Sequence, residues 1–212
     1  MTVRGALKAA LGDMYRNSTR FVVLNGALSA ATIAILVAAS YTQPALLLLV
    51  LLGPVASALM HCAVVLVQTR ELSLREWFVG LRLHWLRGLI LAAGLIVAAY
   101  LGYVSFVFYG GRGTLAWPIV VIAIYVLFLF GVWQLFVWPL AIAERTTSFT
   151  HVLRDAGVAF LRRPRAAIML ATALFVINAV GAIGILPILT LTVAYSFLAA
   201  AHFVLPPARE EV

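Results

Sequence analysis

The chain has 212 residues, of which 65% are hydrophobic and 10% charged, and its mean hydropathy is +1.10. A soluble domain carries roughly 45–50% apolar residues, so the composition excludes one and implies a single integral membrane unit. The net charge of +8 would suggest nucleic acid in a soluble protein; here it reads as a membrane-orientation signal, and no nucleic-acid partner is expected.

In chain order, residues 2–16 open as a basic amphipathic segment with apolar residues Val3, Ala6, Leu7, Ala10 and Met14. Apolar spans follow at 21–41, 44–68, 88–109, 116–143, 166–185 and 187–206, each near or above the ~20 residues that a helix needs to cross hydrocarbon. The first is too long for a signal-peptide core and is expected to be retained. Pro54 and Pro139 fall inside the second and fourth spans, where a missing amide predicts kinks. Pro187 is expected to start the last span. Trp117 and Tyr109 flank the external border and read as interfacial anchors.

Two further amphipathic segments share the spacing of the first. Leu74, Trp77, Phe78, Leu81 and Trp85 form one stripe, and Phe149, Val152, Leu153, Ala156 and Phe160 another. Such spacing keeps one face of a 3.6-residue helix apolar. A hydroxyl residue precedes each stripe (Thr2, Ser73, Ser148) and an arginine follows it (Arg16, Arg87, Arg162). Ser73 with Glu76 has the spacing of a capping box. The expectation is an all-α polytopic protein: six transmembrane helices as three hairpins, each preceded by a cytoplasmic interfacial helix, in repeat-like units 2–68, 73–143 and 148–206 of a single membrane domain.

Charge supplies the orientation. All of the fifteen Lys and Arg residues except Arg112 fall on one side of this topology, as do all seven acidic residues. The positive-inside rule then places both termini in the cytoplasm. The excess of arginine over lysine suggests a bacterial genome rich in GC, so a bacterial inner membrane is expected. Anionic lipid headgroups are the expected partners of the basic face. The external loops are short and leave little surface there for a ligand.

No charged residue lies deep within a span, which argues against proton- or ion-coupled transport. No G-x-S-x-G, H-E-x-x-H or phosphate-binding loop is present, so no catalytic residue or cofactor is expected. Cys62 is the only cysteine, and His61 beside it points elsewhere on a helix, so neither a disulfide nor a metal site is expected. The neutral polar residues Asn25, His61, Gln134 and His202 would fall in the cytoplasmic half of four spans. They could line a common cavity or hydrogen-bond between helices, a contact worth roughly 0.6 kcal/mol.

Four segments carry a resemblance: Gly53-Pro54-Val55-Ala56-Ser57-Ala58-Leu59, the run Ser73 to Arg82 around Trp77-Phe78, Trp138-Pro139-Leu140, and Leu161-Arg162-Arg163-Pro164. In their order and spacing the chain resembles the YesL-like family of bacterial membrane proteins. That resemblance implies no established activity or cofactor, and an accessory role beside ABC-type carbohydrate importers. Two hypotheses follow. One is a non-enzymatic partner of an ABC permease, docking through Trp77, Phe78, Leu81, Trp85, Arg87 and Arg162; a homo-oligomer would use the same surface. The other is a small carrier or lipid-handling protein built around Asn25, His61, Gln134 and His202.

Overall fold

The computed structural model describes residues 2–113, 116–144, 146–184 and 191–206. Among these there are eight α-helices and no strand. They are α1 (Val3–Arg16), α2 (Ser18–Tyr41), α3 (Leu52–Thr69), α4 (Leu74–Gly110), α5 (Trp117–Ala143), α6 (Phe149–Arg162), α7 (Pro164–Ile183) and α8 (Val193–Val204), with a 3₁₀ helix at Gln43–Leu51 before α3. Five helical segments, with mean hydropathy between 2.2 and 2.5, are long and apolar enough to cross a membrane. The protein is an all-helical, polytopic membrane protein. Of the span expected at 187–206, the described helix is α8, 12 residues long. Pro187 lies outside the described residues, as do Arg145, Arg209, Glu210 and Glu211.

The three amphipathic segments are helical, but they join their spans differently. Asn17 (φ −118°) breaks the chain between α1 and α2. Arg163 (φ −140°) does so between α6 and α7, because the following Pro164 disfavours a helical residue before it. After Arg87 stands Gly88, which continues the helix. The separate interfacial helix expected at 72–87 is therefore the first part of α4, whose 37 residues run about 55 Å at ~1.5 Å per residue. The caps differ from expectation as well. Thr2 accepts from the Gly5 amide at 3.2 Å. Ser73 accepts from Arg75 at 3.3 Å, while Glu76 turns to His61, so the reciprocal half of the capping box is not formed. Ser148 makes no cap bond.

Pro54 lies inside the second span, in the first turn of α3, where the preceding 3₁₀ helix passes into the α-helix, and its carbonyl accepts from the Ser57 hydroxyl at 2.8 Å. Pro139 does lie inside α5, near its end. There Arg87 serves the freed end of the helix, donating to the carbonyls of Ala141, Glu144 (2.9 Å) and Thr147 (2.7 Å). Charged hydrogen bonds contribute about 1.5–3 kcal/mol each, less when they share a donor group. Arg87→Ala is expected to cost roughly 2–3 kcal/mol, read as a lower melting temperature in detergent. Arg87→Lys should recover only part of it, because an ammonium is a compact point charge without the span of the two guanidinium nitrogens that serve these carbonyls.

Packing is concentrated at the end of the molecule that carries the charged segments. Buried residues of α3 run from Gly53 to Val67, those of α8 from Ala194 to Phe203, and most of those of α5 from Val132 to Ile142. Beyond Asn25 in α2 and Ala92 in α4 no residue is buried, and the exposed side chains there, such as Val37, Tyr100 and Val107, are apolar. Apolar surface of this extent on a helical protein is the surface that lipid covers. The segment that contains α3 is the most enclosed of the five that are long enough to cross a membrane. α3 packs against α4 along two rows of small or polar residues, Gly53, Ser57 and His61 opposite Gly88, His84 and Gly80. Small residues at this spacing let helix backbones approach closely.

Candidate functional site

The start of α4 divides its residues unexpectedly. Toward α3 it presents Trp77, Gly80, His84 and Gly88; the last three are buried, and the Trp77 ring packs against the core. Outward it presents the large apolar residues Leu74, Phe78 and Trp85, the last two 66% and 54% exposed, with Leu81 half-buried and Arg75 and Arg82 beside them. The stripe expected as a docking face is thus exposed at Leu74, Phe78 and Trp85, while Trp77 turns to the core and Leu81 is half-buried. The inner face is fixed by fit, because a side chain at Gly80 would strike the His61 ring and Ser57 donates to the His84 carbonyl at 3.3 Å. The close crossing is lined by small residues and the two histidines, and Phe78 and Trp85 are rotated outward.

Of the residues expected to form a docking face, Phe78 and Trp85 are exposed together. Trp77 sits edge-on to Phe78, with ring centroids 5.0 Å apart, and its buried Nε1 has no hydrogen-bond partner among the described residues. Arg87 is committed to the end of α5. Arg162 is exposed on α6, beside Arg163, where the two line a recess of about 200 Å³ with Phe136 and Phe203.

Three of the four neutral polar residues serve separate helix contacts. Asn25 Oδ1 accepts from the Ala194 amide at 3.1 Å, joining α2 to α8. His61 Nε2 lies 3.4 Å from Glu76 Oε2, and its ring is 5.1 Å from that of His84. The Gln134 carbonyl oxygen is buried without a partner among the described residues. His202 Nε2 lies 2.8 Å from Asp13 Oδ2. Two apolar cavities among the described residues are lined by other side chains: one by Ala98, Gly102 and Leu127 between α4 and α5, another by Phe128, Ala171 and Asn178 between α5 and α7.

The residue that sequence reasoning missed is Asp13. By topology it falls with the other acids on the side of the basic segments, yet it is 3% exposed. Its Oδ1 accepts from Arg16 at 2.6 Å and its Oδ2 lies 3.9 Å from Arg70. The signal was present: Asp13 follows Ala10 by three and Ala6 by seven, which sets a carboxylate on the apolar stripe of α1. That stripe packs along α8, since the Tyr195 hydroxyl also donates to the Leu7 carbonyl at 3.0 Å. Among the described residues no three of His, Cys, Asp and Glu gather as metal ligands. Comparison with models of known families, with curated proteins and with solved structures returns no match.

Proposed function

We propose that the protein is a non-enzymatic accessory subunit of the bacterial inner membrane, with six spans paired as three hairpins and both termini in the cytoplasm. Its partner is another membrane protein, and the class implied by the resemblance is an ABC-type carbohydrate permease. The observation that carries the reading is the outward face of α4, where Leu74, Phe78 and Trp85 stand exposed between Arg75 and Arg82. Aromatic anchors flanked by arginine are the residues that dominate protein interfaces. The interior supports the same reading over a carrier, because Asn25, His61 and His202 are used in contacts between helices.

The test is affinity purification of the tagged chain in mild detergent, with mass spectrometry of what accompanies it. A permease or its ATPase at near-stoichiometric yield is expected, and Phe78→Ala with Trp85→Ala should abolish it while leaving the melting temperature unchanged. Recovery of the chain alone, retaining a small molecule, would favour the carrier.

A further inference from the structure

A second feature shares no lining residue with this face. Where α1 ends, α2 begins and α3 stops, two adjoining recesses share Asp13, Arg16 and Arg70. One, of about 350 Å³, also takes in Lys8 and Gly12; the other, of about 590 Å³, takes in Asn17 and Leu66. Both volumes fall in the range of small-ligand sites, roughly 300–1,000 Å³. Space above Gly12 is open, since a Cβ there would meet nothing within 4 Å.

The electrostatics favour an anion. Three cations, Lys8, Arg16 and Arg70, face one carboxylate. That carboxylate is already engaged: Asp13 Oδ1 holds Arg16 and Oδ2 lies against His202. It therefore orients a guanidinium while much of Arg16 and Arg70 remains open, their side chains being 70% and 48% exposed. Asn17 also lines the recess, where its Nδ2 donates to the Asp13 carbonyl at 3.1 Å and its Oδ1 accepts from Arg20 at 3.1 Å. Arg70 adopts φ +62° at the end of α3, a left-handed position normally given to glycine. The chain keeps an arginine there, beside Asp13.

We propose that this recess binds a phosphate group, held by Arg16, Arg70 and Lys8. The phosphate is carried either by an anionic lipid headgroup or by a soluble phosphate compound. The inference is independent of the docking face on α4.

The full chain, purified and delipidated in detergent, would be titrated with phosphatidylglycerol, with phosphatidylcholine and with inorganic phosphate, and adducts measured by native mass spectrometry. Arg70→Gly is the informative variant, because glycine suits the left-handed backbone and the fold is kept; Lys8→Gln changes an exposed residue. Each is expected to weaken binding about tenfold, the effect of one charge-assisted hydrogen bond. Selective retention of phosphatidylglycerol identifies a lipid headgroup, and retention of inorganic phosphate a soluble ligand; either result supports the site. The proposal is overturned if neither anion is held, if both variants bind as the native chain does, or if phosphatidylcholine binds as well as phosphatidylglycerol, since acyl chains would then account for retention.

Discussion

Gly53→Val is expected to abolish the folded state, seen as loss of a monodisperse peak and of a cooperative thermal transition in detergent. A Cβ at Gly53 would fall 2.7 Å from both the Gly88 carbonyl carbon and the Ala92 Cβ, and closer still to the Gly88 oxygen. The obstacle is the backbone of α4, which no rotamer change can clear. Relief requires the two helices to separate. That would also stretch the Ser57 bond to the His84 carbonyl and the His61 approach to Glu76. Overpacking commonly costs about 1–3 kcal/mol where side chains can yield, and here they cannot, so the cost should exceed that range. Gly88→Val should behave alike, its Cβ meeting Ser57 Oγ at 2.7 Å and the Gly53 carbonyl carbon at 2.8 Å. Gly94, six residues along the same helix, is the control. Nothing lies within 4 Å of its added Cβ, so Gly94→Ala should be neutral or stabilise by up to about 1 kcal/mol through helix propensity. A similar loss at all three positions would show that helix flexibility matters here and the crossing does not.

That crossing shows what the sequence could and could not tell. Helix existence was legible throughout, because hydropathy and period are local properties. The continuity of α4 was not. The breaks after Arg16 and Arg162 have visible causes in Asn17 and Pro164, and the lack of a break after Arg87 follows from their absence, but a matched stripe suggested a matched joint. The α4 stripe was legible as an apolar face, and Phe78 and Trp85 stand exposed on it, but the inward turn of Trp77 was not legible. The inner face was instead marked by Gly80, His84 and Gly88, whose spacing answers Gly53, Ser57 and His61. Half of that pattern lay inside the motif that carries the family resemblance. The polar residues were found, but their partners were not, because hydrogen bonds such as Asn25 to Ala194 join residues 169 apart in the chain. No local pattern encodes such a pairing.

The second large effect is expected at Asp13. The carboxylate is enclosed between α1 and α8, with its side chain 4% exposed and that of His202 3% exposed. Removing one member of a buried polar pair leaves the other desolvated without compensation, a loss of about 3–5 kcal/mol. Asp13→Ala should therefore destabilise strongly and also release Arg16, which depends on Oδ1 for its orientation. His202→Phe alone should cost less, because Asp13 keeps Arg16 at 2.6 Å and Arg70 at 3.9 Å as counter-charges. In the double variant Asp13→Ala, His202→Phe, no unpaired polar group remains at the contact, and the phenyl ring meets the alanine-rich surface of α1. The two losses should then fall short of additivity by about 1–3 kcal/mol, the signature of residues in direct contact. Asp13→Asn separates charge from hydrogen bonding, since the amide can still accept from His202. Near-native stability in Asp13→Asn would assign the contact to a neutral hydrogen bond. A loss as large as that of Asp13→Ala would assign it to the carboxylate charge, held in place by His202 within the core and by the two arginines at its edge. Strict additivity in the cycle would overturn the pairing altogether and leave Asp13 as a residue that serves Arg16 alone.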